Sequence, residues 1–130
     1  MRLRILLDTH ALIWWLTDSS RLPETVRHAI FDPLNEKRVS AATAWEITTK
    51  HRLGKLPGCE LIAADVAGAI AHQGFAELPI TVADAARAGA LPGPHRDPFD
   101  RMLIAQALVH DLVFVSNEPL FDRYGVRRLW

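Results

Sequence analysis

Short strand-like runs alternate with helix-length segments from one end of this sequence to the other, and a chain built that way has few folds open to it. Arg4-Ile5-Leu6-Leu7 is a compact apolar run broken at Asp8-Thr9-His10, after which Ala11-Leu12-Ile13-Trp14-Trp15-Leu16 continues over a helical length. That pattern reads as a buried strand, a polar tip and a helix. Pro23-Glu24-Thr25 opens a second helix, with Val26, Ile30 and Phe31 on one face and Asp32-Pro33 at its end. Val39-Ser40 is a very short strand leading into a helix from about Ala42 to Leu53, which Gly54 stops. Leu61, Ile62, Val66 and Ile70 recur at helical spacing and predict one helix up to Gly74, followed by a weak strand from Phe75 to Leu78. Thr81 caps a helix, Leu91-Pro92-Gly93-Pro94 breaks the chain, and Pro98 suits the first turn of a helix that runs to about His110. Leu112 to Val115 is the strongest strand signal, and Val126 to Leu129 closes the chain.

The alternation predicts an α/β fold with a mainly parallel sheet covered on both faces, and 130 residues with no repeat or linker predict one domain over residues 1–130. In such sheets the functional crevice lies outside the carboxyl ends of the strands. The polar residues just after apolar runs are Asp8, Ser40 and Ser116 to Glu118. Fifteen basic residues balance fifteen acidic ones, which argues against a purely electrostatic nucleic-acid binder but not against an enzyme that gathers acids around a cation. The longest apolar stretch, Ala11 to Leu16, is far shorter than the roughly 18 residues of a membrane span. Asp8 and His10 interrupt any signal-like segment, and Cys59 is the only cysteine, so the expected setting is the reducing cytoplasm, away from membranes.

Five acids can reach one edge of a parallel sheet: Asp8 after the first strand, Glu46 inside the third helix, Asp97 and Asp100 opening the long C-terminal helix, and Glu118 after the fourth strand. Carboxylates that converge repel one another unless they share a proton or a cation, so Mg²⁺ or Mn²⁺ is the natural resolution. Asp8 also stands where a helix N-cap would, the facing of Glu46 is open, and Glu118 could cap the turn to Pro119. Asp97-Pro98-Phe99-Asp100 has the spacing of a helix start, which favours Asp97 as the cap and leaves Asp100 for ligation. Asp18, Asp32, Asp65, Asp84, Asp111 and Asp122 read as surface or capping residues. Other chemistries lack their signatures: the six histidines form no H-x-x-x-H pair, and neither a phosphate loop, a dinucleotide turn nor G-x-S-x-G is present.

Four ordered segments resemble one known family. They are Leu6-Leu7-Asp8-Thr9-His10-Ala11-Leu12-Ile13-Trp14; Ser40 with Trp45-Glu46-Ile47, Lys50 and Gly54-Lys55-Leu56; His95-Arg96-Asp97-Pro98-Phe99-Asp100-Arg101-Met102 through Ala107; and Ser116-Asn117-Glu118 with Phe121 and Tyr124-Gly125-Val126. Together they look like a PIN domain, and within that family like the VapC-type toxins of bacterial toxin-antitoxin pairs. The resemblance implies a three-layer α/β/α sandwich and a Mg²⁺- or Mn²⁺-dependent endoribonuclease held silent by a cognate antitoxin, with a homodimer as the expected assembly. It implies that Asp8, Glu46 and Asp100 are the metal-holding acids, that Ser116 matches the usual Thr or Ser, and that Glu118 stands where the family commonly has Asp. Asp97 then holds a second ion or caps its helix. Arg96, Arg101, Lys50 and Arg52 are candidates for a basic rim, and Trp14, Trp15 and Trp45 for an apolar surface that receives the antitoxin. Two rival classes are a non-catalytic PIN-fold binding module and an aspartyl-phosphate phosphatase or receiver-like protein using Asp8.

Overall fold

A computed structural model describes residues 2–130. Its centre is a five-stranded sheet in which β1 (Arg4–Leu7), β2 (Glu36–Ser40), β3 (Ala76–Leu78), β4 (Val113–Val115) and β5 (Arg128–Leu129) are all parallel, in the order β3-β2-β1-β4-β5. The sheet is therefore wholly rather than mainly parallel. Seven helices accompany it: α1 (Thr9–Leu16), α2 (Glu24–Phe31), α3 (Ala41–Arg52), α4 (Glu60–Ala64), α5 (Val66–His72), α6 (Val82–Ala90) and α7 (Pro98–Val109).

Alternation along the strands separates two cores. Ile5, Leu7, Val39 and Val115 point to one face and pack with Leu12, Val26, Ile30, Ile47 and Ile70. Leu6, Leu78 and Phe114 point to the other and pack with Leu103, Ile104 and Leu112. With both faces covered, Ile5–Leu7 of β1 and Val113–Val115 of β4 are apolar, which is why these strands are legible as continuous runs. Helix α3 serves both sides, placing Ile47 in the first core and Ala42 in the second.

Three elements depart from expectation. The second strand starts at Glu36, three residues earlier than Val39, because pairing with β1 recruits the polar Glu36-Lys37-Arg38 run. Pairing of this kind is a tertiary gain that local propensity does not encode. The single helix expected up to Gly74 is two, because Asp65 leaves helical geometry and its carboxylate accepts from Gly68 N–H to start α5. A 3-10 helix, Pro119–Tyr124, follows β4 and buries Phe121 against Phe114. Asp84, read as a surface or capping acid, does cap α6 through a reciprocal box with Thr81, but it is fully buried and is also held by Gln106 and His110.

The chain lays β1, β2 and β3 outward in one direction and then returns to place β4 on the other side of β1. The order reverses between β1 and β4, and a crevice opens at the carboxyl ends of strands at such a point. Asp8 and Ser116 are the first residues past β1 and β4. Among the described residues no helix is long and apolar enough to cross a membrane.

Candidate active site

Asp8 is fixed by its neighbours on both sides. Its N–H donates to Val115 O at 3.0 Å, tying it to the end of β4, and its carboxylate accepts from Ala11 N–H at 2.7 Å as the cap of α1. The residue is only 6% exposed, and burial pushes its pKa up to about 6 against the restraint of Ser116 and Ala11, with the Asp100 charge adding to the rise. The capping reading of Asp8 is thus realised.

Glu46 is settled by the structure as an inward residue, 2% exposed, although sequence left its facing open. Thr9 donates to its Oε1 at 2.6 Å and contacts Thr43, while Lys50 one turn along α3 pairs with its Oε2. Ser40, the polar tip of β2, is used up as the cap of α3 through Ala42 N–H.

Helix α7 brings the next two acids. The Asp97 carboxylate accepts from Phe99 and Asp100 N–H at 2.8 and 3.2 Å, with Pro98 in the first turn where its missing N–H costs nothing. Asp100 faces His95, whose Nε2 lies 2.8 Å from Oδ2. Burial raises the Asp100 pKa, the His95 hydrogen bond opposes it, and the Asp97 and Glu46 charges raise it further.

His95 is held by the 91–97 loop. Tyr124 Oη accepts from its N–H at 3.0 Å, and Arg101 donates to the carbonyls of Ala88, Leu91 and His95. Gly93 is required there: at φ +111° a Cβ would stand 2.7 Å from Tyr124 Oη. The expectation that Arg101 contributes to a basic rim is corrected accordingly, since its guanidinium is spent on backbone oxygens that shape the loop.

Asp8, Glu46, Asp97, Asp100 and Glu118 all line one cavity of about 240 Å³, together with His10, Lys50, His95, Asn117 and Phe121. Ser116 is buried behind it and accepts from Glu118 N–H at 3.2 Å. Sequence reasoning passed over Thr9 and His95. Thr9 was visible as the polar residue directly after Asp8, whereas the His95 contact depends on a loop whose path is set by tertiary bonds. Arg52 and Arg96 are exposed, Trp14 and Trp15 are half-buried against the first core, and of the three tryptophans expected at an apolar surface only Trp45 is open, at 61%. It meets Phe99 edge-on at 4.8 Å.

The donors suit a hard divalent cation: all are carboxylate oxygens, and the two most buried, Asp8 and Glu46, need a counter-charge. Yet among the described residues no three His, Cys, Asp or Glu side chains are arranged to hold an ion between them as they stand. Four of the five carboxylates are instead engaged by protein groups: Asp8 by Ala11 N–H, Glu46 by Thr9 and Lys50, Asp100 by His95, and Asp97 by its own helix.

Asp97 offers a direct check. Asp97→Ala should lower stability by about 0.5–2 kcal/mol, while Asp97→Ser, which keeps a capping oxygen, should melt within a few tenths of a kcal/mol of the parent. If the carboxylate is needed only as a cap, the serine variant also keeps its activity; a stable but inactive serine variant would place Asp97 on the cation.

A wholly parallel sheet with an acid-lined cleft at its point of reversal defines an open-sheet α/β protein. The chain belongs to the PIN-domain family, whose pattern it matches over residues 5–126. Among solved structures it is similar to VapBC2 from Rickettsia felis bound to a DNA fragment from their promoter, with a TM-score of 0.70, 12% identity and 98% of each chain covered. No curated protein sequence matches it significantly.

Proposed function

We propose that this chain is a Mg²⁺- or Mn²⁺-dependent endoribonuclease and the toxin of a toxin-antitoxin pair, working in the cytoplasm. The observation that carries the reading is the gathering of Asp8, Glu46, Asp97, Asp100 and Glu118 in one cleft of a PIN fold, with two of them buried. PIN domains are generally nucleases, and burying that many acids without a catalytic use would be a standing cost. The strand order here also differs from the 2-1-3-4-5 order of receiver-like folds, which speaks against the receiver-like alternative.

Asp8, Glu46 and Asp100 would hold the ion, with Glu118 at its side. When bound, it neutralises the phosphate and lowers the pKa of water for in-line attack. The chain's own residues do the positioning. Ser116 and the α1 N-terminus hold Asp8, Thr9 holds one oxygen of Glu46, and the Arg101-braced loop holds His95 against Asp100. The solved neighbour is a complex with its VapB partner and DNA, which supports an antitoxin for this chain too. The exposed Trp45, beside a cavity of about 180 Å³ lined by Ala42, Ile80, Phe99 and Met102, is the apolar surface available to such a segment. Pairing of two copies remains part of the proposal.

The test is cleavage of end-labelled single-stranded RNA by purified protein with Mn²⁺, and its loss when the chain is co-purified with the product of the neighbouring gene. Intact RNA at enzyme excess would refute the nuclease reading. Undiminished cleavage in the complex would refute the toxin reading alone.

A further inference from the structure

Lys50 is the one ammonium among the residues that line the acidic cleft. It lies one helical turn after Glu46 on α3, its Nζ pairs with Glu46 Oε2, and Thr9 takes the other oxygen at 2.6 Å. Both oxygens of the most deeply buried acid of the cleft are therefore engaged by protein groups. The two ends of the pair differ in freedom: the Glu46 side chain is 3% exposed, whereas that of Lys50 is 31% exposed and sits on a flexible four-carbon stem. Glu46 cannot leave the cleft, and Lys50 can.

The charges around Lys50 point the same way. Its ammonium pairs with Glu46, and Asp97 and Asp100 line the same cleft. It is a permanent cation in the place where the cleft most needs one. A second cation bound by the same carboxylates would repel it, and an RNA phosphate at the mouth of the cleft would attract it.

We propose that Lys50 is a tethered counter-ion with two positions: paired with Glu46 while the cleft holds no ion, and turned outward onto an RNA phosphate once Glu46 ligates a divalent cation. The inference rests on the nuclease reading for its second half only. In the first position Lys50 offsets the buried charge of Glu46 and competes with metal. In the second it becomes a substrate-positioning residue, so cation uptake and RNA binding are coupled through one side chain.

The experiment titrates Mn²⁺ alone into the full chain by calorimetry, for the wild type, Lys50→Met and Lys50→Arg. Loss of the ammonium should tighten Mn²⁺ binding by about tenfold, and Lys50→Arg should stay near the wild type. In saturating Mn²⁺, binding of a 2′-O-methyl oligonucleotide, which resists cleavage, should weaken in Lys50→Met, and its log–log salt slope should fall by about 0.7, the loss of one phosphate contact on a single strand. If Lys50→Met folds poorly, Lys50→Gln makes the same comparison with a neutral donor left for Glu46. Equal or weaker Mn²⁺ binding without the ammonium would overturn the counter-ion, and an unchanged salt slope would overturn the phosphate contact. Tighter Mn²⁺ binding in a chain that cleaves no RNA would uphold the counter-ion and refute the nuclease reading instead.

Discussion

Asp8→Asn protein should cleave no RNA and yet be more stable than the wild type at neutral pH. The two halves have one cause. The Asp8 carboxyl is buried and its pKa stands at about 6, above the 3.8 of an ordinary aspartate. A folded state that holds its proton more tightly than the unfolded state gains stability as pH falls through about 6 and loses it as pH rises. At pH 7.5 the ionised Asp8 therefore costs the fold about 3 kcal/mol. Asparagine removes that cost, keeps the side-chain shape, and still offers Ala11 N–H a capping oxygen. What it loses is the charge that holds a cation. Changes to groups behind a metal ligand cost about 10–100-fold, so loss of a ligand itself should exceed about a hundredfold. Melts in EDTA should show wild-type stability falling as pH rises from about 3.8 to about 6 and level above that, with this fall absent in Asp8→Asn. Cleavage above a few per cent of wild type by the asparagine variant would remove Asp8 from the mechanism.

The second large effect is expected from the cation. EDTA should abolish cleavage, and Mg²⁺ or Mn²⁺ should restore it. Because the ion binds the folded cleft and not the unfolded chain, Mn²⁺ at a hundredfold over its dissociation constant should stabilise the fold by about 2.7 kcal/mol. For a chain of this size that is a rise in Tm on the order of 10 °C. The gain should be larger at pH 7.5 than at pH 5, where Asp8 is protonated and less available to the ion. A Tm unmoved by Mn²⁺ over a wide concentration range, or full cleavage in EDTA, would show that the acids do not work through a divalent cation.

Much of this protein was legible along the chain, for a reason particular to doubly covered parallel sheets. Ile5–Leu7 and Phe114–Val115 are buried on both faces, so these stretches must be apolar without interruption, and the first polar residue after each run marks the strand end. Asp8 and Ser116 could be singled out on that ground alone. Asp97 declared itself as a cap through its spacing to Pro98, and the structure bears the cap out.

What only the tertiary structure decided are the relations between segments that do not share a local signal. Glu36–Arg38 is a strand because β1 lies beside it, not because its side chains prefer one. Glu46 faces inward because α3 is wedged between two cores, which its own weak periodicity could not declare. Arg101 braces a loop rather than a phosphate, and His95 reaches Asp100, because that loop returns over the start of α7. Lys50, a candidate for the basic rim by sequence, is a partner of a buried acid in space. Helix caps are set by hydrogen bonds a few residues apart, and so are written locally. The charge balance of the cleft joins two local pairs, Glu46–Lys50 and His95–Asp100, with Asp8 and Glu118 from distant segments, and exists only once the chain has closed around it.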